Sequence, residues 1–402
     1  ELNCAKCGAC AVVCPVFRID GREVLTARGK MHLLTTELAD HPSVVLEDRF
    51  SRCLLCGACE QVCPRHLPIT ESISRARGTF SRFYGPNGLK KAAACTVLGH
   101  AVLLDGLVKA GINLRRLHTL PAYSGLRLKL GLLEEKSLVS SPPTNNITPQ
   151  EGQTTTSLNY FTGCVARHIQ PSIAEATQTL VQFCDMPPAH IPAHQSCCGL
   201  AAWSAGKREQ ACELARKNIQ AFSGSEGPII TSCASCSSHL LAYPSLFAED
   251  DPWHDKAVAF AERVREFTSF FDERLPVSSR IHRPGDPRQR VFYHDPCHLR
   301  FKDKGMVTPR SLVQKTGMQI VEPEDGPRCC GQGGLFHIAC PEHSLQIFQK
   351  SSKQALAGSP DYITTTCSGC LMQFQEGLAR QGQQVTVVHL AVLLADCLVK
   401  RN

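Results

Sequence analysis

Eight cysteines near the start of the chain leave few choices of fold. "CAKCGACAVVCP" sets Cys4, Cys7, Cys10 and Cys14 ahead of Pro15, and "CLLCGACEQVCP" sets Cys53, Cys56, Cys59 and Cys63 ahead of Pro64. Both runs follow the pattern C-x2-C-x2-C-x3-C-P. Three thiols on one tight turn can hold three corners of a cubic iron–sulfur cluster, and Gly8 and Gly57 let backbone N–H groups approach the sulfurs. The rival reading is a pair of thiolate zinc sites. Two complete four-cysteine runs, each with a trailing proline, favour clusters.

In two-cluster ferredoxins the fourth cysteine of each run ligates the other cluster. Cys4, Cys7, Cys10 and Cys63 are therefore expected at one 4Fe–4S cluster, and Cys53, Cys56, Cys59 and Cys14 at the second. Each distant fourth ligand ties the two halves into one small fold. Between the runs, Arg22, Arg28 and Lys30 are read either as neutralising the clusters or steering an acidic partner, or as a solvated charged loop leading into a helix.

The remaining composition sets limits. The chain has 402 residues and 23 cysteines. Disulfide scaffolds are normally short, whereas these thiols fall in C-x2-C groups followed by Pro or Gly, which points to ligands in a reducing compartment. Hydrophobic residues make up 43% and charged residues 20%, ordinary for a globular protein. The net charge of +7 is spread along the chain with no basic block, which argues against nucleic acid as a partner. No uncharged apolar stretch is long enough to span a bilayer. The best candidate, Ala92 to Gly111, is broken by His100, Asp105 and Lys109 and reads as an amphipathic packing helix. A cytoplasmic protein is expected, with peripheral contact at the inner face of the cytoplasmic membrane as the alternative. The first ligand cysteine lies so near the first residue that a longer natural N-terminus is also expected.

Beyond residue 80 the chain repeats itself. "YFTGC" (Tyr160 to Cys164) is echoed by "FYHDPC" (Phe292 to Cys297), "CCG" recurs at Cys197 and Cys329, and "TSCASC" (Thr231 to Cys236) is echoed by "TTCSGC" (Thr365 to Cys370). The matching cysteines lie 133, 132 and 134 positions apart, which indicates a duplicated domain. Short apolar runs, "LNYF", "GPIITS", "RVFYH" and "DYITTT", lead into the cysteines and read as buried strands. Helix-like segments, Ala201 to Ala221 and Pro341 to Ala357, lie between them. The expected organisation is a cysteine-ligated unit over 1–80, a helical connection and linker over 81–157, and two α/β repeats over 158–280 and 281–402. The linker reading rests on the polar, Pro/Ser/Thr-rich stretch Ser140 to Ser157. The fold class is α+β overall.

Each repeat supplies five thiols: Cys164, Cys197, Cys198, Cys233 and Cys236 in the first, and Cys297, Cys329, Cys330, Cys367 and Cys370 in the second. Together with "ARGK", "YFTGC" and "YHDPCHL", this layout resembles the cysteine-rich CCG domain of heterodisulfide reductase subunits and of iron–sulfur subunits of 2-hydroxy-acid and glycerol-3-phosphate dehydrogenases. Two ferredoxin-type runs followed by two CCG domains resemble most the glycolate oxidase iron–sulfur subunit and the iron–sulfur subunits of flavin-linked lactate dehydrogenases. The resemblance implies one further iron–sulfur cluster per repeat, with zinc as an option in one. It also implies a separate FAD-containing 2-hydroxy-acid dehydrogenase subunit as partner, and electron relay to a quinone or another carrier. Several relatives lack one of these thiols. The two complete sets keep open a disulfide reductase acting at a CCG cluster.

No dinucleotide fingerprint or phosphate-binding loop accompanies these motifs; "GQGG" (Gly331 to Gly334) lacks the required spacing. Oxidation of a 2-hydroxy acid releases two electrons, which a flavin can pass on singly. That favours the relay reading over two others: the membrane anchor of anaerobic glycerol-3-phosphate dehydrogenase, and a metal-stapled assembly module. Cys95, Cys184, Cys212, Cys340 and Cys397 sit in no ligand pair and are expected as small buried hydrophobes. Of the histidines near the motifs, His168, His194, His294 and His298, the two flanking Cys297 are the better candidates to touch a metal centre.

Overall fold

In the computed structural model the described residues are 4–36, 43–116, 125–134, 158–275, 288–303 and 307–398. The proposed linker Ser140 to Ser157 lies outside them.

The two N-terminal runs fold alike. Gly8 and Gly57 both take a left-handed backbone with φ of 82° and open the short helices Ala9–Val13 and Ala58–Gln61. That left-handed conformation is what calls for glycine at both positions. Between the runs, Thr26 caps the helix Ala27–Leu34 by accepting from the Gly29 N–H. Ala27, Met31, Leu46, Phe50, Leu55, Ile69 and Ile73 form a small apolar core around which the cysteines are arranged.

The segment expected as one helix from Ala92 to Gly111 is two, Gly88–Gly99 and Ala101–Arg116, bent by 107°. The break falls at His100, which is extended and whose Nδ1 bonds the Thr96 carbonyl oxygen at 2.8 Å. The bend lets Leu104, Val108 and Ile112 pack toward Cys164. No single helix among the described residues is long and apolar enough to cross a membrane.

Each repeat builds a parallel sheet. The first orders β1 (Asn159–Phe161), β2 (Ile229–Thr231) and β3 (Val264–Glu266), with a bridge from Asn159 to His190 on the outer side of β1. The second orders β5 (Gln319–Val321), β4 (Arg290–Tyr293), β6 (Tyr362–Thr365) and β7 (Thr386–His389). β1 and β2 thus correspond to β4 and β6, and all four apolar runs expected as strands are strands. Helices Ser172–Phe183 and Leu390–Leu398 pack closely and join the repeats in one apolar core with Tyr160, Ile230, Val291 and Leu394. Pro341–Ala357 forms one helix as expected. Ala201 to Ala221 is instead interrupted between Ser204 and Arg208, where Gly206 has a φ of 77° and lies against the backbone of Gly78.

Candidate metal centres

The two N-terminal cysteine sets cross over. One cavity of about 450 Å³ is lined by Cys14, Cys53, Cys56 and Cys59. Another of about 390 Å³ is lined by Cys4, Cys7, Cys10 and Cys63, with Cys59 on their shared wall. The fourth cysteine of each run thus joins the other run's three.

The charges around these thiols suit an anionic cluster. Lys30 is 1% exposed, and its ammonium donates to the Leu25 carbonyl. Burial pulls its pKa down, and Cys53 and Cys14 are the first of the groups that pull it back up. A buried ammonium among thiols is costly unless negative charge sits beside it, and a cluster held by thiolates supplies that charge. Arg77, also buried, donates to the carbonyls of Phe50 and Cys53 at 2.8 Å and to that of Ser204 at 2.6 Å, which pins the second run to the first repeat. Arg28 serves the other cavity, where it bonds the Lys6 carbonyl at 3.0 Å. Burial raises the Cys14 thiol to about 11, so cluster ligation would have to draw off its proton.

In the repeats the cysteine loops leave the C-terminal ends of β1 and β2 and of their counterparts β4 and β6. Cys164 and Cys297 follow β1 and β4 and open matching π-helical turns, Val165–Ile169 and Leu299–Asp303. Cys233 and Cys367 follow β2 and β6 and precede the helices Ala234–Leu241 and Ser368–Arg380. The adjacent pairs arrive on loops closed by glycine. Gly331 has a φ of 87°, and a Cβ there would strike the Ser344 carbonyl at 2.5 Å.

All five thiols of each repeat converge. In the first, Cys164 contacts Cys197, Cys197 contacts Cys198, and Cys236 contacts both Cys198 and Cys233. In the second, Cys297 contacts Cys329, Cys329 contacts Cys330, and Cys370 contacts Cys367 and lies 3.3 Å from Cys330. Buried thiols this close cannot all ionise. Cys197, held by hydrogen bonds from Cys164 and Cys198, is pushed well down, while Cys164 is pushed well up. Cys330 is likewise pushed down by bonds from Cys329 and Cys370. Such a set is built to be relieved by a metal centre that replaces the shared protons.

The sites also touch one another. Cys56 of the N-terminal unit is in hydrogen-bonding contact with Cys297, and Cys233 of the first repeat with Cys367 of the second. Ser235 reinforces the latter contact, its hydroxyl lying 3.1 Å from Cys367 Sγ and 2.9 Å from His298 Nδ1. A line of sulfur contacts therefore leads from the second N-terminal set into the second repeat, and from there into the first.

Of the four histidines singled out in the sequence, His294 reaches Cys330 and Cys370, and His298 reaches the repeat interface through Ser235. His168 is buried 3.9 Å from Asp105 beside Cys164, and His194 is exposed. Of the five unpaired cysteines, Cys95, Cys212, Cys340 and Cys397 are buried and Cys184 half-buried. The sequence reading missed His239, which is buried near Cys197 with an unpartnered Nε2. It also missed Asn218 and Tyr243, which hold the Cys197 and Cys198 carbonyls at 3.1 and 2.9 Å. Asn218 and Tyr243 come from helical segments outside the cysteine motifs, and His239, although one turn beyond Cys236 on the same helix, meets Cys197 only through the fold.

The chain matches the 4Fe–4S dicluster domain family over residues 2–67 and the cysteine-rich domain family over residues 158–241 and 291–375. It is 30% identical over 428 residues to the "Probable glycolate oxidase iron-sulfur subunit" of Bacillus subtilis, covering 98% of this chain and 93% of that one. It is 29% identical to lactate utilization protein A of Oceanobacillus iheyensis over 59% of this chain and 96% of that one. A hypothetical protein from Helicobacter pylori shares the fold, with a TM-score of 0.54 at 8% identity, over 94% of this chain and 67% of that one. The ferredoxin-type unit, the two CCG domains and the full-length identity lead to one conclusion: the chain belongs to the family of glycolate oxidase iron–sulfur subunits.

Proposed function

We propose that this chain is the electron-transfer subunit of a flavin-linked 2-hydroxy-acid dehydrogenase acting on glycolate or D-lactate. Cys4, Cys7, Cys10 and Cys63 hold one 4Fe–4S cluster, and Cys53, Cys56, Cys59 and Cys14 a second. The five cysteines of each CCG repeat hold one further centre, an iron–sulfur cluster in at least one repeat. A partner FAD subunit oxidises the acid, and a quinone or another carrier takes the electrons. The clusters, when bound, supply single-electron chemistry. The chain's own residues hold them, bury them and balance their charge through Lys30, Arg28 and Arg77.

The observation that carries this reading is the line of sulfur contacts from Cys56 to Cys297 and from Cys367 to Cys233. A protein that only used metal to staple its domains would have no need to bring its sites edge to edge. The test is anaerobic. Adding glycolate or D-lactate to the native complex should produce the EPR signals of reduced clusters, with a flavoprotein co-purifying. No reduction by either acid would sink the proposal.

The convergence of five thiols in both repeats favours one second reading, reduction of a disulfide at a CCG centre. Turnover of a disulfide by the isolated chain, with no response to either acid, would put that reading first.

A further inference from the structure

We infer that His294 supplies an imidazole nitrogen to the metal centre of the second CCG repeat, beside its five cysteines, and that the corresponding position of the first repeat, Phe161, supplies none. The inference rests on the proposal that this repeat binds a metal centre.

His294 directly follows β4. Its backbone N–H donates to the Thr364 carbonyl at 2.8 Å, which fixes the residue against β6. The ring is 2% exposed and packs on Phe374, with centroids 4.9 Å apart. A ring nitrogen, Cys330 Sγ and Cys370 Sγ all lie within 4.8 Å of one another. No other group of three such donors closes as tightly among the described residues. The ring is in hydrogen-bonding contact with the Cys330 thiol, and the buried Nε2 has no other partner. Burying an imidazole without satisfying its nitrogens is costly, and native structures rarely do so without cause. A metal centre between Cys330 and Cys370 supplies the cause.

The first repeat differs at this very position. Cys164 and Cys297 correspond, so Phe161 stands where the second repeat has His294. Phe161 is fully buried and offers no donor atom. The histidine that does approach the first site, His239, comes from the following helix and lies near Cys197, the other member of its cysteine pair. Its ring is held between Trp203 and Tyr243, with centroids 6.0 and 5.8 Å away. The duplicated sites are thus chemically unequal.

The test uses the full chain, purified anaerobically with 15N-labelled histidine. Pulsed EPR of the reduced protein should show a directly bonded histidine nitrogen in the wild type and in H239F, and none in H294F, which installs the residue the first repeat carries. H294Q serves if H294F does not fold. If metal analysis finds zinc at this site, absorption at the zinc edge should show one nitrogen among sulfurs. A wild-type protein with metal in the second site but no such nitrogen overturns the inference, as does a coupling that survives both His294 variants. If C367S/C370S has the same metal content as the wild type, the second repeat holds no metal. The proposed centre then falls, and this inference with it.

Discussion

The first and second CCG repeats draw five thiols each from matching strand ends and matching π-helical turns, yet they face different neighbours. Both repeats touch the N-terminal unit, the first through Arg77 to the Ser204 carbonyl and Trp203 to Glu71, and the second also brings a motif thiol to it. Cys297 meets Cys56, and Arg52 and Asp20 bond His343 across the seam at 3.2 and 3.0 Å. The first lies under the bend at His100, with Leu98, Ala101 and Leu104 over Cys164 and Cys197. Asn218 and Tyr243 hold the cysteine-pair carbonyls of the first, whereas in the second Ser344 donates to the Gly331 carbonyl at 2.9 Å. The lesson is that duplication preserved the ligands, which sit on short local motifs. The surroundings diverged because they are set by helical segments of each repeat that carry no cysteine motif, as Asn218 and Tyr243 show in the first.

This contrast can be broken most directly at the ligands. C370S should strip the second site and stop electrons reaching the first, lowering electron delivery through the complex by roughly 100-fold or more. C236S should leave the second site reducible by the acid. Site-resolved EPR separates the two, and equal loss in both variants would show that the line of contacts is not the route.

The next effect concerns Lys30, which stands by the cavity whose Cys56 meets the second repeat. K30M should lower the potential of that cluster on the order of 100 mV, the scale of one nearby charge in a partly screened interior. The cluster at Cys4, Cys7, Cys10 and Cys63 should hardly move. Redox titration followed by EPR reads both, and equal shifts would deny Lys30 its local role.

A smaller change is expected at the seam between the repeats. S235A removes one polar contact to Cys367 and one to His298, worth about 1 kcal/mol. It should lower the denaturation midpoint slightly while leaving the N-terminal clusters spectroscopically unchanged.

The smallest effect is a pH dependence. Burial holds His389 at about 4, below its ordinary 6.5, with Nε2 bonded to the Ser232 carbonyl of the first repeat at 2.9 Å. Between those two values the unfolded chain binds the extra proton, so stability is full above pH 6.5 and declines as pH falls toward 4. H389Q should flatten that part of the decline, as followed by denaturant unfolding at several pH values. His239, also near 4, contributes a similar slope in the first repeat.

Much of the architecture was legible because it is local. The strands at Asn159, Ile229, Arg290 and Tyr362 announce themselves as apolar runs that stop at cysteines. The helix Pro341–Ala357 has proline at its first position and an apolar face. The breaks at His100 and Gly206 were not legible. Both depend on close approach to another element, Gly99 to the Gln210 side chain and Gly206 to the Gly78 backbone. The same holds for His239, whose neighbour Cys197 lies 42 positions away.

What the sequence by itself determined is the inventory of cysteines and the sets in which they gather. Spacing of two or three residues fixes thiols on one turn, and a repeated order of motifs fixes two similar sites. The order in which those sites touch was decided only by tertiary structure. The N-terminal unit places Cys56 against the second repeat, although the first follows it in the chain, and the repeats meet at Cys233 and Cys367. Such contacts depend on how apolar faces far apart in sequence bury one another, a non-local balance that no short motif encodes.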